Sequence, residues 1–162
     1  MPENIEEVRK PFIQTMGQIS HFWGFSSVMG QIYGVLYLNE NPTTMEDVMK
    51  ELNISKGNVS MNLRNLERWG MIKKVWQGGG RKFFYEAESD FTKIFTDILQ
   101  ERRNKDFERM LKSVGECLEQ VKAVKKGQKA TFAKKRLEHM HRFFQFLDGI
   151  VFTVLKLARK GK

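Results

Sequence analysis

Between Lys56 and Lys82 the sequence holds seven cations, Lys56, Arg64, Arg68, Lys73, Lys74, Arg81 and Lys82, against one acid, Glu67. Such a cluster can neutralise phosphates, and the side chains among it have a second use: an arginine fork fits a guanine edge and an asparagine amide fits adenine. At about 100° per residue on a helix, Gly57, Asn58, Met61, Arg64, Asn65 and Arg68 share one face, while Val59, Leu63 and Leu66 share the other. A core takes the second set. A major groove can take the first. Downstream, Gln77-Gly78-Gly79-Gly80 leads into Arg81 and Lys82, and glycines allow a backbone to approach a phosphate or the minor-groove floor.

Other chemistries lack their residues. His139 and His141 are two apart, on nearly opposite sides of a helix, so they cannot share a metal; Glu138 and His141 make one Glu-x-x-His pair with no second copy. The glycine run is followed by no Gly-Lys-Ser/Thr, so it is not a phosphate loop of the NTPase kind. No Ser/His/Asp or Cys/His set and no converging carboxylates appear. Cys117, the single cysteine, is expected to be a small packed side chain and excludes an intrachain disulfide. The expectation is a non-enzyme with neither metal nor cofactor.

The elements that must hold the basic face can be read locally. Thr43 with Glu46 forms a capping box, and Met45, Val48, Met49 and Leu52 give the first helix an apolar side. Asn53 ends that helix in a tight turn, Ser55 caps the next one, and Gly70 stops it. Ile72 to Trp76 and Arg81 to Ala87 then read as two strands joined by the glycines, a wing. Two short helices and a hairpin make a winged helix-turn-helix.

The runs Ile32-Tyr33-Gly34, Ile54-Ser55-Lys56-Gly57-Asn58-Val59-Ser60-Met61-Asn62-Leu63-Arg64, Trp69-Gly70-Met71-Ile72-Lys73-Lys74-Val75 and Gly80-Arg81-Lys82-Phe83-Phe84-Tyr85 resemble the GbsR group of MarR-type transcriptional regulators. The likeness covers about residues 10 to 100. It implies a dimeric, DNA-binding regulator of prokaryotic type, some of whose relatives sense choline or betaine. On this reading the DNA contacts are Ser55, Lys56, Gly57, Asn58, Ser60, Met61, Arg64, Asn65, Arg68, Lys73, Gly79, Gly80, Arg81 and Lys82. The alternative is a winged-helix adaptor that docks protein and reads no DNA sequence.

The rest of the chain is helical by pattern. Ile5, Val8, Phe12, Met16, Ile19 and Trp23 fall at helical spacing, with Pro11 tolerable only near a start or at a kink. Ser26 or Ser27 opens a second helix. From Ser89 a long helix crosses the polar run Glu101 to Asp106, the basic stretch Lys122 to Lys135 is the candidate loop, and Thr131 caps a last helix. That helix carries two stripes: Leu137, Met140, Phe144, Leu147, Val151, Val154 and Ala158, then Phe143, Phe146, Ile150 and Leu157. Two stripes call for two neighbours, one within the chain and one a second subunit.

Three regions follow: residues 1–25, a helix contributing to the dimer interface; 26–88, the DNA-binding domain; and 89–162, a helical dimerisation region. The fold class is mainly α with a small β-wing. Dimer contacts are expected from Phe12, Met16, Leu137, Met140, Phe144, Leu147, Val151 and Val154. A small-molecule effector, cationic or apolar, would be sought at Trp23 and Tyr33. A net charge of +9 favours a polyanionic partner, here double-stranded DNA with a pseudo-palindromic operator. No signal peptide or membrane span is visible, so the protein is expected in the cytoplasm, acting as a repressor or another kind of regulator.

Overall fold

The computed structural model describes residues 4–76, 82–125 and 127–160. The chain divides into two compact units, Met1–Ile94 and Phe95–Lys162.

The first unit opens with α1 (Ile5–Phe22) and α2 (Ser27–Tyr37). Asn4 caps α1 by accepting the Glu7 N–H, and Glu6 and Glu7 stand in the first turn where the helix dipole favours acids. Pro11 lies inside α1. The two helices meet through glycine: a Cβ on Gly30 would run into the Met16 carbonyl and come within 2.5 Å of Ser20 Cβ. Ser26 caps α2 by accepting the Met29 N–H, and Ile32, Tyr33, Val35 and Leu36 fill the core.

A two-residue strand, β1 (Thr43–Thr44), precedes α3 (Met45–Leu52), α4 (Lys56–Arg68), β2 (Ile72–Val75) and β3 (Phe84–Ala87). The sheet is antiparallel in the order β1-β3-β2, with Thr43 opposite Tyr85 and Ile72 opposite Ala87. This corrects the expected capping box by one residue. Thr44 caps α3, accepting the Asp47 N–H at 3.2 Å and donating its hydroxyl to Asp47 Oδ2 at 2.5 Å, while the Thr43 hydroxyl is engaged elsewhere, accepting from Asn39 Nδ2 and donating to the Asn41 carbonyl. Asn53 adopts φ 50° and Gly70 φ 68°, the left-handed turns that end α3 and α4. Val48, Val59, Leu63, Leu66 and Ile72 close the core beneath them.

Helix α5 (Phe91–Arg102) begins in the first unit and ends in the second. It passes through a π-helical turn (Arg103–Phe107) into α6 (Glu108–Ala123), so the polar run is helical throughout, as expected. Helix α7 (Gln128–Lys160) starts earlier than the expected cap; Thr131 lies inside its first turn, donating its N–H to the Gly127 carbonyl. The expected basic loop, Lys122 to Lys135, is helical at both ends, since α6 runs to Ala123 and α7 starts at Gln128. Within this unit Phe107 meets Phe144 edge-on at 5.8 Å, His141 lies against Gly115, and Arg103 pairs with Asp148 at 2.8 and 3.0 Å. Cys117 is exposed, correcting the packed position expected for it: the buried position of α6 is its neighbour Leu118. Among the described residues no helix is long and apolar enough to cross a membrane.

Candidate nucleic-acid interface

Helix α4 splits its residues as its periodicity demands. Val59, Leu63 and Leu66 are buried, while Lys56, Gly57, Met61, Arg64 and Arg68 are exposed and Asn58, Ser60 and Asn65 half-buried. Ser55 caps the helix, its Oγ accepting the Asn58 N–H at 3.4 Å. Met61 is 53% exposed amid the cations, an apolar side chain on an otherwise polar and basic face. A Cβ on Gly57 would meet nothing within 4 Å, so the fold itself does not require glycine there.

The inner face of this helix also has a polar member. Asn62 is 3% exposed and faces inward with Val59 and Leu66, a position its spacing three after one and four before the other could have revealed. Its Nδ2 donates to the Asn58 carbonyl at 2.9 Å and to Asn58 Oδ1 at 2.7 Å, and its Oδ1 accepts the Ser26 hydroxyl at 3.1 Å.

Among the described residues, four cations have intramolecular company and two have no acidic partner. The Lys73 ammonium, expected on DNA, lies 3.2 Å from Glu88 Oε2, so its charge is already answered by the chain. Lys74 sits over the Phe83 ring at 3.6 Å and Arg68 over Trp69 at 5.4 Å, both within cation–π range. Lys82 is close enough to Asp47 to contribute, behind the Thr44 hydrogen bond, to holding that carboxyl below its ordinary pKa. Among the described residues, Lys56 and Arg64 have no acid within ion-pair distance. Gly79, Gly80 and Arg81 lie outside the described residues. At the base of the wing, Trp76 and Phe83 form an exposed edge-on pair at 5.5 Å.

Glu88 closes the sheet side of the site. Its Oε1 accepts the N–H groups of Ser89 and Asp90, and its Oε2 pairs with Lys73 and, at 3.1 Å, Lys93. The Asp90 N–H first, then the two ammonium groups, hold its pKa down to about 2. Its carbonyl accepts the Tyr33 hydroxyl at 2.8 Å.

That bond corrects the effector expectation. Tyr33 is buried, its hydroxyl satisfied, and burial raises its pKa; it stacks on Tyr37 and offers no face to a ligand. Trp23 remains partly exposed, edge-on to Phe22. The expected dimer residues also separate. Phe12 stacks on Tyr37 and Met16 packs on Gly34 within the first unit; within the second, Phe144 meets Phe107, and Val151 lines a cavity together with Phe107. Leu137 and Leu147 are half-buried, whereas Met140 and Val154 are exposed beside the uncovered stripe Phe143, Phe146, Ile150 and Leu157. Among the described residues no cluster of three His, Cys, Asp or Glu could hold a metal.

Comparison with known proteins meets this geometry at the helix pair. The model of the bacterial regulatory protein, arsR family, matches residues 35–74, which run from α2 to β2. The HTH-type transcriptional repressor GbsR of Bacillus subtilis (strain 168) is 30% identical over 94 residues, 58% of this chain and 52% of its own. Those residues resemble GbsR. The HTH-type transcriptional repressor OpcR of the same organism is 27% identical over 94 residues, 58% of this chain and 51% of its own. The chain thus spans about half the length of the GbsR-like relatives it matches. A solved structure described as a transcriptional regulator shares the fold, with a TM-score of 0.69 at 16% identity over 94% of this chain and 98% of that one. The winged-helix architecture with helical extensions is therefore shared with that structure.

Proposed function

We propose that the chain is a cytoplasmic transcriptional regulator that binds double-stranded DNA sequence-specifically as a homodimer. Helix α4 enters the major groove and the wing lies on phosphate or the minor groove. The observation that carries this reading is the outer face of α4: Arg64 is exposed without an acidic partner among the described residues, on a helix whose opposite side is locked in the core. A protein-docking helix would present apolar or acidic side chains instead. Likeness to GbsR and OpcR supports the reading, since both are named as transcriptional repressors.

In this arrangement Arg64 reads a base edge, while Lys56 and Lys82 neutralise phosphates. Lys73 contributes less than its charge suggests because Glu88 holds it. Arg81, Gly79 and Gly80 remain wing contacts proposed from the sequence. A second copy covers the Phe143, Phe146, Ile150 and Leu157 stripe, which gives two recognition helices and half-sites about one helical turn, roughly 10 bp, or a multiple apart.

The test is a site selected from randomised duplexes, followed by binding at several salt concentrations. Arg64→Ala is expected to cost about 1–3 kcal/mol on the selected site and to relax preference at particular base pairs. Lys82→Ala weakens all sequences alike and flattens the salt slope by about one unit. Selection that enriches no sequence would overturn the reading.

A further inference from the structure

We propose that Asn62 and Ser26 preset the side-chain amide of Asn58 as an outward hydrogen-bond donor, so that the first turn of α4 reads an acceptor on a base edge. This rests on the DNA-binding function proposed above. The orientation follows from what each atom can do. A backbone carbonyl only accepts, so the Asn62 atom 2.9 Å from the Asn58 carbonyl oxygen is the amide nitrogen. The same nitrogen lies 2.7 Å from the Asn58 side chain, which therefore turns its oxygen inward. The other end of the Asn62 amide is then an oxygen, and it accepts the Ser26 hydroxyl at 3.1 Å. Ser26 Oγ in turn accepts the Met29 N–H at 3.2 Å as the cap of α2. The relay is anchored at both ends by backbone groups whose roles cannot reverse.

Asn62 is 3% exposed and touches no partner itself; its influence runs through Asn58. Among the described residues Asn58 Nδ2 has no hydrogen-bond partner, and no buried side-chain nitrogen or oxygen lacks one, so this nitrogen is open to solvent. Asn58 stands three residues after the cap Ser55, in the turn of a recognition helix that reaches the base edges first. An unconstrained asparagine pairs with adenine by donating to N7 and accepting from the N6 amino group. With its oxygen held inward, Asn58 only donates. Guanine N7 or O6, adenine N7 and thymine O4 accept such a bond, whereas cytosine presents only an amino donor there.

The experiment selects binding sites from randomised duplexes with the full chain and measures base preference at every position for the wild type and three variants. Asn58→Ala identifies the position that Asn58 reads, where the wild type is expected to disfavour cytosine by about three- to tenfold, the effect of one hydrogen bond. Asn58→Asp keeps one oxygen on Asn62 and turns the other outward as an acceptor, so preference at that position inverts towards the cytosine amino group. Asn62→Leu, close in shape but without the donor, frees the Asn58 amide. The discrimination against cytosine is then lost while the position set by Arg64 keeps its preference, a pattern that a general loss of stability would not produce. Should Asn62→Leu fail to fold, the inversion by Asn58→Asp still decides. The relay is overturned, and DNA binding left standing, if Asn58→Ala changes no preference, if Asn58→Asp does not invert, or if folded Asn62→Leu keeps the wild-type pattern. A wild type that enriches no sequence overturns the relay and the DNA-binding function together.

Discussion

Arg9 grips the Glu51 carboxylate at two points, Nε to Oε1 at 2.6 Å and Nη2 to Oε2 at 2.8 Å, which ties α1 to the last turn of α3. The same Nη2 donates to Asn39 Oδ1 at 2.8 Å, and Asn39 Nδ2 donates to the Thr43 hydroxyl at 2.6 Å, so the grip extends to β1. The Arg9 side chain is largely shielded and that of Glu51 less so, which places the pair above an ordinary surface bridge. Arg9→Ala is expected to lower stability by about 1–2 kcal/mol, and Arg9→Lys to recover little of it because an ammonium cannot make the two-point contact. Urea midpoints decide, and an unchanged midpoint for Arg9→Ala would show that the pair adds nothing.

Gly30 is where α1 and α2 come nearest. A methyl group there would collide with the Met16 carbonyl, a backbone atom that cannot swing away, and with Ser20 Cβ. Gly30→Ala should therefore cost about 1–3 kcal/mol through overpacking, despite alanine being the better helix former. Gly57→Ala makes the contrast: the same exchange into open space is expected to raise the melting temperature slightly. Equal responses at the two sites would refute the close packing.

Acid should loosen the sheet side of the first unit through Glu88. Its pKa of about 2 lies below the ordinary 4.5, so the carboxylate stabilises the folded state fully above pH 4.5 and loses that contribution as the pH falls from 4.5 towards 2. Glu88→Gln is expected to lower stability by on the order of 2 kcal/mol at pH 7, with the gap to wild type narrowing at pH 3. Denaturation curves at both pH values test this; a gap that stays constant would remove the carboxylate charge as the cause.

On α7 the two stripes should respond differently. Phe146 is 65% exposed and Leu157 equally so, and replacing both by Glu is expected to convert a dimer to a monomer in sedimentation without loss of helical signal. Phe144→Ala instead removes the contact with Phe107 and should cost about 2–3 kcal/mol, less than full burial would give. A dimer that survives the double Glu substitution would place the interface elsewhere.

The legibility of this fold in its sequence follows the distance over which each feature is decided. Ser55, Asn53 and Gly70 act within a turn of their own backbone, so the bounds of α4 could be read directly. Thr43 and Thr44 are adjacent threonines, each followed three residues later by an acid, and locally either can cap. Asn39, held by Arg9 from 30 residues up the chain, donates to the Thr43 hydroxyl and leaves the cap to Thr44. Lys73 looked like a free cation for the same reason, since Glu88 becomes its neighbour only when β2 pairs with β3. The two stripes of α7 were visible as periodicity. Which of them the chain covers for itself depends on where Phe107 and Arg103 present their side chains, and the π-helical turn that carries both has no marker in composition.

The strand order has a mechanical meaning for the wing. Because β3 is the middle strand, its Phe84 and Tyr85 are paired on one side with β2 and on the other with Thr44 and Thr43. Thr44 is also the cap of α3. The returning strand of the hairpin is thus bolted to the start of the helix that precedes α4, so a load carried along β3 is delivered to the cap of α3 within two residue pairs.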